Sequence, residues 1–182
     1  LHAHTTDSDG RDSLEAMAEA AQDMGYEYLA VTDHSPALRI VHGLDRGRFL
    51  KQRKRIDALS ARLRKLTLLA GAEVDMHPDG SLDLDDATLA SLDIVLVSLH
   101  SAFALPRAAQ TARVVRALSH PAVDVFAHPS GRLIGRRRGA DFDFDRVASA
   151  AADHGVMLEV NAQPTRLDLD DVLRSRWLVF SV

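Results

Sequence analysis

The chain has 182 residues, with 22 Lys and Arg against 26 Asp and Glu, so its formal charge is -4 and its length is that of one domain. It contains no cysteine, which excludes a disulfide framework and a Cys-ligated zinc or iron–sulfur site. No apolar run approaches the ~18 residues of a membrane span. No signal peptide opens the chain, so we expect a cytoplasmic protein without a membrane partner. Because the chain is mildly acidic, nucleic acid would have to be bound by a local basic patch or by metal ions.

Predicted strands and helices alternate along the whole chain. The first half contains a strand over 1–3, a helix from Ser13 to Met24 ended by Gly25, a strand from Tyr28 to Thr32, a helix with apolar positions at Phe49, Ile56, Leu59, Leu63 and Leu66, a strand over 68–74 and a short helix from Asp85 to Leu92. The second half contains a strand from Ile94 to Val97, a helix to Ser119 with Pro106 at its first position, a strand from Val123 to Phe126, a helix from Asp145 to His154 ended by Gly155, a strand from Met157 to Val160, and a last helix and strand over 170–176 and 178–181.

This alternation predicts an α/β fold. The strands are unbroken apolar runs, which is typical of parallel strands covered on both faces. About seven strand–helix units favour a closed or nearly closed barrel over a Rossmann sheet. The glycine-rich phosphate loop of a Rossmann fold does not follow any of the predicted strands.

Histidines and carboxylates recur where the predicted strands end. These residues are His2, His4, Asp9, Asp33, His34, Glu73, His100 and His128, with Asn161 after the sixth strand. In barrels of parallel strands this end carries the active site, and imidazole with carboxylate is a ligand set for borderline divalent metals. Each residue alone is more often structural, but their joint position predicts a metal site. His42 and His77 lie in loops on the same face and stay open, whereas we expect His120 and His154 to be structural.

Most of the basic residues are arginines, and several lie close to the predicted metal ligands. Arg132, Arg136, Arg137 and Arg138 follow His128, and Arg166 follows Asn161. A solvated loop is the ordinary interpretation of such a run. Its position beside the predicted metal site favours contact with substrate phosphate instead. We place Arg113, by contrast, on a helix exterior.

Several stretches resemble motifs of the PHP (polymerase and histidinol phosphatase) superfamily. They lie at 1–10, 31–34, 71–73, 98–100, 127–129 and 159–161. Four more, at 42–44, 78–83, 131–136 and 161–168, resemble the C-terminal PHP domain of bacterial and archaeal family X DNA polymerases. The resemblance implies a single domain over 1–182 with a distorted (βα)7 TIM-like barrel. It also implies up to three divalent metal ions, often Mn²⁺ or Zn²⁺.

The resemblance implies a role for each of the predicted ligands. His2 and His4 match ligands of a first metal and Glu73 a bridging carboxylate, His100 and His128 match ligands of a second metal, and Asp9 and His34 match ligands of a third. The family's closing Asp-x-His motif is missing from this sequence. We therefore expect a fragment truncated at both ends, which holds at most two metals tightly and the third weakly. His42, Arg132, Arg136 and Arg166 are the expected phosphate-binding residues.

Clustered divalent metals predict phosphoester hydrolysis, and the resemblance implies a metal-dependent phosphoesterase that acts on DNA 3′ ends. It would be a 3′-5′ exonuclease, with 3′-phosphatase activity as an extension, acting on repair intermediates beside an upstream polymerase domain of the same chain. One alternative is a small-molecule phosphatase of the histidinol-phosphate phosphatase type, and another is a non-catalytic PHP domain that stabilises a polymerase. All seven predicted ligand positions hold residues able to bind metal, which favours an enzyme. An amidohydrolase is the least favoured alternative. Such enzymes usually need a carboxylated lysine in the barrel, and the three lysines here all lie on or at the end of one helix.

Overall fold

The computed structural model describes residues 1–171, and their architecture confirms the predicted α/β class. The α-helices in this part of the chain are α1 (Leu14–Asp23), α2 (Arg46–Ser60), α3 (Asp86–Leu89), α4 (Arg107–Leu118) and α5 (Phe144–His154), and a short 3-10 helix covers Arg39–Val41. The strands are β1 (Tyr28–Val31), β2 (Thr67–Asp75), β3 (Ile94–Ser98), β4 (Val125–Phe126) and β5 (Met157–Leu158). The strand β1 pairs with β2 in parallel, and β3 pairs with β4 and β4 with β5 in parallel.

The described chain divides into two compact units. The first comprises Leu1–Val74 and Asp83–Val95, and the second comprises Asp75–Leu82 and the described residues from Leu96 onward. The helix and strand predicted over 170–176 and 178–181 fall almost wholly beyond residue 171, outside the described residues. Within residues 1–171, none of the helices has the length and apolar character needed to span a bilayer.

The core of the first unit lies between α1 and the strands β1 and β2. Ser13 caps α1 by accepting a hydrogen bond from the Ala16 amide at 3.2 Å, and Gly25 follows the helix at φ 77°. The helix therefore begins and ends within a residue of its predicted bounds. The buried apolar side chains of this core are Leu14, Ala18, Ala21, Leu29, Val31, Ile56, Leu66, Leu68 and Ala70.

Two predicted elements of the first unit are wrong in detail. The helical spacing predicts Leu63 and Leu66 on a helix, but α2 ends at Ser60 and both side chains reach the core from the segment that connects α2 to β2. The strand predicted over 1–3 is also not formed, since these residues pair with no other strand among the described residues. The Thr32 amide donates to the Ala3 carbonyl at 2.8 Å, while the Ala3 amide donates to the Thr32 hydroxyl at 3.0 Å. A side chain thus takes the place of a backbone partner.

In the second unit, capping residues and a glycine mark where the helices α4 and α5 begin and end. Gly155 ends α5 at φ 71°, as predicted. Pro106 is the N-cap of α4 rather than its first helical residue, because its ψ of 144° is extended. Asp143 caps α5 by accepting from the Arg146 amide at 3.2 Å.

The predicted position of Arg113 on a helix exterior is wrong. Its side chain is only 2% exposed, on the inner face of α4. The guanidinium donates to the carbonyl oxygens of Met76, His77 and Ser101. These acceptors satisfy a buried cation that an amphipathic pattern alone assigns to solvent.

Candidate metal centre

Three imidazoles of the first unit converge on one buried carboxylate. Glu73 Oε2 lies 3.2 Å from His2 Nε2, 3.5 Å from His4 Nε2 and 3.0 Å from His34 Nδ1. Glu73 is 1% exposed and pairs with His34 in a parallel β-bridge. His34 and Glu73 come together because they lie near the ends of two neighbouring strands, as the sequence pattern predicts. His2 and His4 reach Glu73 from a segment that is not assigned as a strand.

His4 connects this group to Asp9. The ligand atoms of His4, Asp9 and His34 all lie within 4.8 Å of one another. Asp9 Oδ1 is 3.6 Å from His34 Nε2 and 3.8 Å from His4 Nδ1, and the two rings stack with centroids 4.4 Å apart. The family resemblance implies that His4 binds one metal and that Asp9 and His34 bind another. In the structure His4 has one nitrogen towards Glu73 and the other towards Asp9, so it can serve either.

The donor set of the first unit fits a divalent metal ion. His4 Nδ1 is buried and has no hydrogen-bond partner among the described residues. A buried nitrogen in that state costs free energy that coordination to a metal would recover. Imidazole nitrogens with carboxylate oxygens are ligands for Zn²⁺ and Mn²⁺. We therefore take His2, His4, Asp9, His34 and Glu73 as residues able to hold metal.

Burial lowers the pKa of His4 from 6.5 to about 4, with Glu73 opposing the shift and the neighbouring histidines adding to it. The neutral imidazole that metals bind is therefore the form present at neutral pH.

This shift predicts a pH dependence for the metal-free protein. Between pH 6.5 and about 4 the unfolded chain protonates His4 while the folded chain does not, so stability falls as the pH is lowered through that window. The loss attributable to His4 is about 3 kcal/mol at most. Urea unfolding with chelator at several pH values measures it for the wild type and for His4→Gln. The variant should show the shallower slope, and equal slopes would contradict the shift.

Asp33 organises the loop that carries Asp9. This carboxylate is fully buried and accepts hydrogen bonds from the Thr5 amide at 2.8 Å, the Thr5 hydroxyl at 2.7 Å and the Gln52 amide group at 2.6 Å. The Ser8 hydroxyl donates to the same carboxylate. Four donors from the loop and from α2 thus hold residues 5–8 against the end of β1, directly before Asp9.

A second group of ionisable residues lies in the second unit. His100 Nδ1 is 3.0 Å from Asp75 Oδ1 and 3.3 Å from the Ser98 hydroxyl. The rings of His100 and His128 have centroids 5.3 Å apart, and His128 is 3% exposed. A carboxylate at Nδ1 is the usual outer partner of a histidine that binds metal through Nε2.

Acidic side chains also surround the backbone of His128. Its amide donates to the Glu159 carboxylate, while Asp168 accepts from the amides of Ser130 at 3.2 Å and Gly131 at 2.8 Å. Burial raises the pKa of Asp168 despite these bonds. The two carboxylates hold the turn after β4 that presents His128.

These supporting carboxylates are not among the residues predicted from sequence. The sequence could have indicated that Asp75 lies near the site, because it follows Glu73 by two residues and alternate residues of a strand share a face. Glu159 stands in the same relation to Asn161. Asp168 ends the stretch 161–168 that resembles the family X PHP domain, but strand periodicity gives no signal for its role, since its partners come from a turn far away in sequence.

The residues expected to bind phosphate differ in their availability. The Arg132 guanidinium donates to the carbonyls of Arg166 and Leu167 and to Asp170 at 3.0 Å, so its donors are used within the protein. Arg166 is half-buried, whereas Arg136 is exposed. His42 is exposed in the first unit, with φ at 54°.

A tight hairpin presents the exposed arginines. The amides and carbonyls of Leu133 and Arg137 pair at 2.9 and 2.8 Å, which closes the turn. Residues 132–139 line a cleft of about 470 Å³. Arg136 and Arg138 are exposed on this hairpin.

Parallel strands with a histidine–carboxylate cluster at their ends are characteristic of metal-dependent hydrolases, and the comparison with known proteins defines which family this is. The sequence model of the PHP domain matches residues 1–163. The chain belongs to the PHP domain family, whose members bind divalent metals, and the matches support a phosphoesterase. The predicted superfamily is therefore confirmed.

Individual relatives refine the comparison. Over 169 residues the chain is 47% identical to DNA polymerase/3'-5' exonuclease PolX of Bacillus subtilis (strain 168), a match that covers 93% of this chain and 30% of that protein. This similarity confirms the predicted kinship with the PHP domain of family X polymerases. Over 165 residues it is 28% identical to a probable phosphatase of Thermoanaerobacter sp. (strain X514) and 30% identical to one of Photobacterium profundum. Each of these matches covers 88% of this chain and 62% of the phosphatase.

Proposed function

We propose that the chain is the PHP domain of a family X DNA polymerase and acts as a metal-dependent 3′-5′ exonuclease on DNA. The convergence of His2, His4 and His34 on Glu73 is the observation that carries the proposal. The similarity to PolX supports DNA as the substrate. The match to 30% of PolX also favours a polymerase region elsewhere in the same full-length chain.

The metal ligands proposed for the first unit are those that converge there, with Mn²⁺ or Zn²⁺ as the ion. His100 and His128 are the proposed ligands of the second unit. A divalent ion, when bound, supplies Lewis-acid polarisation of a phosphoester and lowers the pKa of water. Glu73, the predicted bridging carboxylate, contributes negative charge, and Asp33 keeps the Asp9 loop in place. The predicted distorted (βα)7 barrel is part of the same proposal.

We propose that the hairpin over 132–139 binds substrate phosphates through Arg136 and Arg138. Both side chains are exposed, whereas Arg132 is engaged internally. The Arg137 guanidinium lies 4.0 Å from the centre of the Phe103 ring and donates to a backbone carbonyl, so it supports the hairpin instead.

The double variant Arg136→Ala/Arg138→Ala is expected to raise KM for DNA about 10-fold with little change in kcat, because phosphate contacts of this kind bind substrate and transition state alike. Steady-state digestion of labelled oligonucleotides measures both constants. The matched control is Arg62→Ala/Arg64→Ala, which removes two exposed arginines of the first unit. Equal small effects of the two double variants would mean that the hairpin arginines are solvated and do not bind substrate phosphate.

The second candidate function is a small-molecule phosphatase. The similarity to probable phosphatases, which extends over more than half of their length, favours it. DNA and small phosphomonoesters require the same metal chemistry, so substrate preference separates the two candidates.

A direct test compares substrates on the purified chain with Mn²⁺ or Zn²⁺. We expect stepwise shortening of 5′-labelled single-stranded DNA from its 3′ end, abolished by chelator, and much slower hydrolysis of histidinol phosphate. Hydrolysis of histidinol phosphate without digestion of DNA would establish the phosphatase. Metal binding without hydrolysis of either substrate would support a non-catalytic, stabilising PHP domain.

A further inference from the structure

The second unit contains a buried cation that the proposed chemistry does not use. We propose that Arg113 and Asp75 are positioning residues that hold His100 with its Nδ1 protonated and its Nε2 directed to a divalent ion. This inference rests on the proposed function in one respect, namely that His100 is a metal ligand. It extends that function by identifying what orients the ligand.

The first link is the contact between Asp75 and His100. Their side chains are 6% and 10% exposed, and Asp75 Oδ1 lies 3.0 Å from His100 Nδ1. A carboxylate accepts and cannot donate, so this contact selects the imidazole form that carries a proton on Nδ1. That form leaves the lone pair on Nε2 for coordination. The Met76 amide donates to the Ser98 carbonyl at 3.1 Å, which ties together the two segments that carry the pair.

The second link is the fork of the Arg113 guanidinium. Its Nε donates to the His77 carbonyl at 2.9 Å, and one Nη donates to the Ser101 carbonyl at 2.9 Å. The other Nη donates to the Met76 carbonyl and, at 3.3 Å, to the Ser101 hydroxyl. The Arg113 side chain therefore hydrogen-bonds both Met76, which directly follows Asp75, and Ser101, which directly follows His100.

The positive charge of Arg113 interacts with the negative charge of Asp75. Burial lowers the pKa of Arg113, and the negative charge of Asp75 opposes that shift. Burying a guanidinium destabilises the folded state unless the group has hydrogen-bond acceptors and a compensating charge. The carbonyls supply the acceptors, and Asp75 supplies the charge. The planar fork of arginine can reach all three backbone carbonyls at once, whereas the ammonium of lysine is a single point.

The test uses Asp75→Asn and Arg113→Lys in the whole chain. An amide at position 75 can donate to Nδ1, so Asp75→Asn permits the other imidazole form. In the metal-free protein, ¹⁵N–¹H correlation spectra of the histidine rings report which nitrogen of His100 carries the proton, with His100→Gln to assign the signals. We expect Nδ1–H in the wild type and a shift towards Nε2–H in Asp75→Asn.

Metal affinity provides the second readout. Titration calorimetry with Mn²⁺ and with Zn²⁺ is expected to show a loss of about 10- to 100-fold in Asp75→Asn, as for other outer partners of metal-binding histidines, and a smaller loss in Arg113→Lys. The matched controls are Asp79→Asn and Arg116→Lys, which change an exposed ion pair close by and should change neither readout.

The outcomes separate this inference from the proposed function. Unchanged ring signals and unchanged affinity in Asp75→Asn would overturn the inference, even if Arg113→Lys fails to fold. If the wild type binds metal without any effect of His100→Gln, His100 is not a ligand and the inference falls with that assignment. If the wild type binds metal through His100 but digests no DNA, the proposed function fails while the positioning role stands.

Discussion

Glu73→Gln is expected to reduce metal-dependent hydrolysis by more than about 100-fold, which exceeds the usual effect of a residue that only supports a ligand. Three histidine nitrogens lie within 3.5 Å of Glu73 Oε2, so its negative charge is central to holding a cation in the first unit. Glutamine keeps the shape but removes the charge. The measurements are kcat/KM on labelled DNA and metal content by mass spectrometry, and both should fall while the circular dichroism spectrum is retained.

A matched substitution tests whether this loss is specific. Glu19 is exposed on α1, so Glu19→Gln removes the same charge away from the cluster and should leave rate and metal content near those of the wild type. A Glu73→Gln variant that keeps its metal and turns over at the wild-type rate would refute the assignment of Glu73. Loss of metal without loss of hydrolysis would separate the cluster from the chemistry.

Asp33→Ala is expected to lower the free energy of unfolding by about 3–5 kcal/mol, because it leaves several buried donors without an acceptor. These donors are the Thr5 amide and hydroxyl, the Ser8 hydroxyl and the Gln52 side chain. Urea unfolding in the presence of chelator measures the effect without any contribution from bound metal. Metal affinity should also fall, since the Asp9 loop loses its anchor.

Two further substitutions make this expectation specific. Asp33→Asn keeps the shape and one acceptor oxygen, so it should cost less than Asp33→Ala. Asp153 is exposed on α5, and Asp153→Ala should change stability by less than about 0.5 kcal/mol. If Asp33→Ala unfolds at the wild-type urea concentration, Asp33 is not the anchor of the loop.

Local sequence patterns were sufficient for the fold class and for most of the proposed metal ligands. Unbroken apolar runs separated by amphipathic helices indicate parallel strands, and the polar residue that follows each run must lie at the same edge of the sheet. This is why Glu73 and His34 could both be assigned to the same end of their strands, although their direct contact was not predicted. Caps such as Ser13 and Gly155 act within one turn of chain, so they too are readable from sequence.

Tertiary contacts decided the supporting residues. Arginine is a residue type that usually lies at the surface. Arg113 is buried because its guanidinium donates to the carbonyls of residues 76, 77 and 101. Leu63 and Leu66 continue a helical spacing, yet they reach the core from the segment between α2 and β2. In each case the deciding partners are distant in sequence. Periodicity records which side chains are apolar and which share a face, but a buried polar group depends on donors and acceptors that only the folded chain brings within hydrogen-bonding distance.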